Sequence, residues 1–402
     1  MFGQGRGGQI VTVAGTGEPG YGGDGQPGAA ATLNEPKNVC FDTEGNLLIA
    51  DSENHVIRRL RHESGVIETV AGFVGHQPTV AEIPNALAST PQVEKEADPL
   101  ADVEDMPGRG YSQTPDLSGT VRYIVGQGIG KDRFAGDGGL ATRALLNFPS
   151  AVAVDSAGTF FIADTWNHRI RRVDSKTGII QTVAGTGQSK WTGDGGPGIS
   201  ASLNEPVALV LDGARLYIAD QSNNRIRMLD LESGVITTVA GTGDSGYNGD
   251  GMPAVESSLA GPSGLALDQE GNLYIADTFN GRIRMIDRKT GVLSTVAGDG
   301  AEFRYERGVN EQSQALARPY GIAIMPQGHV LITDSDHHLI RKWDPMKKAM
   351  TLVAGNGQAA WAGDGGQASD SSLSFPFGVA VDALGNIAIA DTFNHRIRYI
   401  SV

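Results

Sequence analysis

Six aspartates recur at a fixed register, each followed seven positions later by an arginine: Asp51 and Arg58, Asp164 and Arg171, Asp220 and Arg227, Asp277 and Arg284, Asp334 and Arg341, Asp391 and Arg398. Six carboxylates could gather a divalent cation. With a guanidinium always in step, however, Asp–Arg pairing that fixes strand register is the stronger expectation. His55, His168, His338 and His395 share one position four residues after these aspartates, where Asn224 and Gly281 stand in the other two copies. Imidazoles are common zinc ligands, but equivalent positions on units set around an axis diverge around the rim. They are expected to be structural turn residues.

Five further segments place an aromatic three residues before an aspartate flanked by glycines: Tyr21 and Asp24, Phe134 and Asp137, Trp191 and Asp194, Tyr247 and Asp250, Trp361 and Asp364. They lack the ligand density of a calcium loop, so a glycine-rich turn pinned by an Asx hydrogen bond is expected. A third set follows a proline in each copy: Lys37, Ser150, Val207, Ser263, Tyr320 and Phe377. Its members differ from copy to copy, as a binding surface should. The fifth copy departs most, and Arg304, Tyr305, Arg307, His337 and Tyr320 form a candidate recognition patch of the kind found at interface hot spots. No Ser/His/Asp or Cys/His arrangement is readable, so no catalytic residue, metal or cofactor is expected.

The elements that must position these residues follow from spacing. The six aspartates lie 113, 56, 57, 57 and 57 residues apart, the mark of an array of supersecondary units that cannot bury their apolar faces singly. One unit reads as four short strands: 151–155, 160–164, 169–174 and 179–184, separated by Gly, Asn and Asp turns. Such antiparallel meanders arranged radially make an all-β, six-bladed β-propeller. The chain opens with a fourth-type strand at 10–14 and ends on a third-type strand at 396–400. The N-terminal strand is therefore expected to complete the last blade and remove an open edge. The double first interval holds residues 73–119, with eight acidic side chains against Lys95 and Arg109. This segment reads as a flexible acidic insertion between blades 1 and 2, with a decayed seventh blade as the alternative.

The octets at 164–171, Asp-Thr-Trp-Asn-His-Arg-Ile-Arg, and at 391–398, Asp-Thr-Phe-Asn-His-Arg-Ile-Arg, resemble the Asn-His-Leu (NHL) repeat. The Thr-Val-Ala-Gly-Thr-Gly and Gly-Asp-Gly-Gly segments around them resemble its bacterial style. The resemblance covers the chain except 73–119 and implies a six-bladed propeller spanning 1–402. It implies little about activity, because the family includes protein-binding modules, RNA-binding modules and a metal-dependent amidating lyase.

The 402 residues carry a net charge of −14, and 40% are hydrophobic. That balance argues against a nucleic-acid role, which needs a basic face. The single cysteine, Cys40, excludes a disulfide framework. No secretory signal and no apolar run long enough to span a bilayer are present, and the chain reads as a monomeric module or part of a longer protein of open location. The expected function is a non-catalytic propeller that binds a protein or peptide partner through its loop-rich face and channel mouth. The competing readings are a metal-assisted hydrolase or lyase at that mouth and an RNA-binding module.

Overall fold

The computed structural model of the chain describes residues 7–74, 133–301 and 314–402. Among them are six antiparallel sheets, one per blade. Blade 1 comprises Pro36–Phe41, Leu47–Asp51, Val56–Leu60 and Ile67–Ala71. Blade 2 comprises Pro149–Val154, Phe160–Asp164, Arg169–Val173 and Ile180–Ala184. Blades 3, 4 and 5 begin at Pro206, Pro262 and Pro319. Blade 6 holds Pro376–Val381, Ile387–Asp391 and Arg396–Ile400, and its outer strand is the N-terminal Ile10–Ala14. Ile10 pairs with Ile400, Val11 with Tyr399 and Thr12 with Arg398, so the ends of the chain share one blade as expected.

Blades 3 and 4 carry a fifth, two-residue strand that the sequence did not announce, Gly196–Pro197 and Met252–Pro253. The long connection between blades runs down the outer edge and hydrogen-bonds to the fourth strand there. Single bridges such as Pro27 to Val66 and Leu140 to Ile179 do the same in blades 1 and 2. A covered edge has fewer free N–H and C=O groups with which another chain could pair. The greater part of the acidic insertion, 75–119, lies outside the described residues.

Alternating β-branched and small side chains give every strand two packing faces, and the sheets pair through them. Each apolar cluster is shared between two neighbouring blades: Val39, Leu47 and Ile49 of blade 1 interlock with Ala388, Ala390 and Ile397 of blade 6. Phe161 and Ile170 of blade 2 interlock with Leu216 and Ile218 of blade 3. No blade completes its core alone, which is why the ring has to close. Near the axis the first strands approach to backbone contact: a Cβ on Gly264, Gly321 or Gly378 would fall 2.2–2.7 Å from the next blade's carbonyl oxygen or Cα. No helix among the described residues is long and apolar enough to cross a membrane.

The closing strand makes a specific prediction. Ile10 is fully buried against blades 5 and 6, so Ile10→Ala should destabilise the fold by about 2–4 kcal/mol in denaturant unfolding. Val11→Ala, on the partly exposed face of the same strand, should cost far less.

Candidate functional site

Each second strand ends in its aspartate, and a single 3-10 turn follows: Ser52–Asn54, Thr165–Asn167, Gln221–Asn223, Thr278–Asn280, Ser335–His337 and Thr392–Asn394. The prolines of the first strands pair with these aspartates, so turns and prolines share one end of the propeller. The first strands are innermost in every sheet, and this end is therefore the mouth of the central axis.

Beneath the mouth each aspartate is wholly buried and three ways satisfied. Asp164 accepts from the Asn147 backbone N–H at 2.7 Å, from Asn167 Nδ2 at 2.9 Å and from Arg171 Nη1 at 3.2 Å. Asp391 repeats this with Ser374 at 2.7 Å, Asn394 at 2.8 Å and Arg398 at 3.2 Å. In blade 5 a histidine takes the asparagine's place, and His337 Nδ1 lies 3.0 Å from Asp334. The arginines are equally buried, and all six pairs stand at the expected register.

The glycine-flanked aspartates form the other half of this clamp, a role that reading each segment alone missed. Asp24, Asp137, Asp194, Asp250 and Asp364 accept from the second guanidinium nitrogen of Arg58, Arg171, Arg227, Arg284 and Arg398 at 2.6–3.0 Å. Their aromatics pack over guanidinium groups: Tyr21 over Arg58, Phe134 over Arg169 and Arg171, Trp191 over Arg225, Tyr247 over Arg282, and Trp361 over Arg396. The 34-residue spacing between Asp24 and Arg58 recurs between Asp137 and Arg171 and was the signal available.

The histidines latch neighbouring blades together. His55, His168, His338 and His395 adopt left-handed backbone at the end of the 3-10 turn. Each Nδ1 accepts the backbone N–H of the residue before the next blade's proline: Phe148 at 3.0 Å, Glu205 at 3.1 Å, Phe375 at 3.2 Å and Glu35 at 3.1 Å. Asn224 Oδ1 performs the same task for Gly261 at 2.9 Å. The residues so held are strained, since Glu35, Phe148, Glu205 and Phe375 all have φ near +50° although a proline follows, and Arg318, which no latch reaches, shares that conformation. Such conformations persist only where surroundings impose them. Hydroxyls add a second tie across the same seam, as when Ser52 donates to the Pro149 carbonyl and Thr392 to that of Pro36.

Above this repeated frame each blade shows two side chains that differ from copy to copy: the residue before the proline and the middle residue of the 3-10 turn. Backbone bonds such as Trp166 N–H to the Asn147 carbonyl set them side by side. The pairs are Glu35 with Glu53, Phe148 stacked on Trp166 at 4.3 Å, Glu205 bonded to Ser222 at 2.5 Å, Gly261 beneath the Phe279 ring, Arg318 bonded to Asp336 at 2.6 Å, and Phe375 against Phe393.

The six residues after the prolines sit deeper. Lys37, Ser150, Val207 and Ser263 are buried, and Tyr320 and Phe377 are half-buried. Lys37 Nζ lies 4.4 Å from the centre of the Phe377 ring, and Phe377 stacks on Tyr320 at 4.4 Å. Burial pushes the Tyr320 phenol up to about 12 while hydrogen bonds to Gln221 and Ser263 oppose the shift. Burial likewise pushes the Lys37 ammonium below the usual lysine range, against the pull of Glu35. This set is thus the floor of the mouth, packed side to side over half its circuit. In the fifth-blade patch, His337 is drawn into the clamp, while Arg304, Tyr305 and Arg307 lie outside the described residues. Among the described residues no group of three or more His, Cys, Asp or Glu is gathered as a metal ion would require.

Comparison with known proteins agrees with this geometry. The teneurin NHL domain model matches residues 113–192 and 242–305, and the NHL repeat model matches 316–343. The chain is 31% identical over 270 residues to SUPPRESSOR OF QUENCHING 1 of Arabidopsis thaliana, covering 64% of this chain and 25% of that protein. It is 29% identical over 306 residues to human NHL repeat-containing protein 2, covering 66% of this chain and 40% of that protein. The chain therefore spans about a quarter to two fifths of these relatives. A solved structure from Bacteroides thetaiotaomicron, of unknown function, superposes with a TM-score of 0.60 at 16% identity over 98% of this chain and 75% of its own. An array of six Asp-to-Arg blades closed by its first strand, matched by these models and relatives, belongs to the NHL-repeat β-propellers.

The latches predict a pH dependence. An accepting Nδ1 requires neutral imidazole, and burial, with Arg133 adding to it, holds His55 down at about 3. The folded value lies below the unfolded one, so this stability is present above about pH 6.5 and is lost as pH falls towards the folded value. His55→Asn, which borrows the non-titrating latch of Asn224, should match the parent near pH 8. It should be more stable than the parent by about 2 kcal/mol at pH 5. Parallel denaturation curves at the two pH values check this.

Proposed function

We propose that the chain is a recognition propeller that binds a protein or peptide partner across the mouth. The observation that carries this reading is the division of the repeat into two classes. The Asp–Arg clamp recurs in every blade and the latch in five of six, whereas no two blades carry the same mouth pair. A scaffold under selection for packing alone has no need of six different surfaces at six equivalent positions. Rigid strands presenting variable loops are the usual division between frame and site. The exposed aromatics suit an interface, since Phe279 is 64% exposed and Trp166 is half-buried in the same ring of positions. The likeness to teneurin and NHL repeat-containing chains is consistent with this reading at the level of family.

A photo-reactive phenylalanine analogue at 279 should give a discrete cross-linked partner in cells of the source organism. Trp166→Ala should abolish that product. The same analogue at Leu384, 83% exposed on the opposite end, should give none. Equal products from both positions, or none at 279, would contradict the reading.

A further inference from the structure

Of the six mouth pairs, that of blade 1 alone sets two carboxylates together, Glu35 and Glu53. Glu35 is 7% exposed and accepts from Lys37 Nζ at 3.0 Å, while Glu53 is half-buried beside it. Lys37 is itself only 4% exposed, and its ammonium faces three aromatic rings: Phe377 at 4.4 Å, Phe393 at 5.2 Å and Phe148 at 5.6 Å. The blades on either side contribute the two aromatic pairs, Phe148 with Trp166 and Phe375 with Phe393. The sector made by blades 6, 1 and 2 is thus an aromatic trough whose base carries two carboxylates against one ammonium. The chain already uses this trough to hold a cation of its own, and one carboxylate remains uncompensated. Desolvation, then the nearby Glu35, pushes the Glu53 carboxyl up, with Lys37 opposing. A second positive charge beside Glu53 would relieve that repulsion.

We propose that this sector receives a cationic side chain, lysine or arginine, from the protein partner, with Glu53 as its counter-ion and Trp166 and Phe393 as its flanking rings. This deepens the recognition reading and rests on it. Anionic groups are disfavoured because the ammonium of this trough, that of Lys37, is buried and already bonded to Glu35. An apolar side chain would cover Glu53 without pairing it, which costs free energy. A cation gains both ion pairing and ring contact in a partly desolvated setting. The chain's net charge of −14 draws cationic segments towards it from a distance.

The test is calorimetric titration of the whole chain with an end-blocked Gly-Gly-Lys-Gly-Gly peptide and with its Nε-acetylated twin. The lysine peptide should bind saturably, and acetylation or Glu53→Gln should weaken binding by roughly tenfold, the scale of one charged hydrogen bond. Lys37→Met leaves two carboxylates for the incoming cation and should tighten binding several-fold. Should that variant fail to fold, Glu35→Gln/Lys37→Met restores one carboxylate and should bind as the parent does. Equal binding of both peptides, an unaffected Glu53→Gln, or no binding of either peptide at millimolar concentration would overturn the cation rule. A Trp166-dependent cross-link at 279 would then still stand for recognition at the mouth, so the two failures are separable.

Discussion

The buried carboxylate–guanidinium clamp is the constraint on which the rest of the structure depends. One arginine per blade bridges the aspartate at the end of the second strand and, among the described residues, the aspartate of the long connection in blades 1, 2, 3, 4 and 6. A buried ion pair is weak evidence for net stability, because desolvation offsets much of the attraction. Its effect here is on specificity. The clamp aspartate also takes the backbone N–H of the segment entering the first strand, so strand, turn and connection can assemble in one register only. Breaking one partner would strand a charge in an apolar seam, which makes the wrong register costly.

The latches carry that order from blade to blade. Imidazole or amide side chains reach across five of the six seams to the left-handed residue before the next proline, and hydroxyls such as that of Ser52 tie the carbonyl of the proline itself. Blade 4 is the exception. Gly281 stands where a latch would be and offers no side chain to Arg318, while Gly261 relaxes the strain in its own blade and makes room for the Phe279 ring. The mouth is therefore rigid around most of its circuit, and its variable side chains are held at fixed positions. Preorganisation of that kind reduces the ordering cost of binding.

Much of this was legible in the sequence, for reasons that particular residues make plain. Periodicity fixes blades, closure and the Asp–Arg register because each depends on local pattern, and Ile10 pairing with Ile400 follows from counting strand types. The post-proline residues are expected to line the channel mouth, and Lys37 and Tyr320 pack against Phe377 as a floor. Which side chains touch across blades depends on ring geometry that one repeat cannot state. The pairing of Asp24 with Arg58, and of Phe148 with Trp166, joins segments brought together only by the closed fold. The histidines were recognised as turn residues, yet their bond to the next blade was invisible from within one copy.

The central claim is that the clamps hold the mouth loops in one conformation. Amide hydrogen exchange at Asn34, Asn147, Asn204, Ala260, Ala317 and Ser374, the six N–H groups donated to clamp carboxylates, tests it most directly. The account predicts protection close to that of the second strands, reached only through global unfolding. Exchange of these six amides at the rate of an ordinary exposed loop would contradict it.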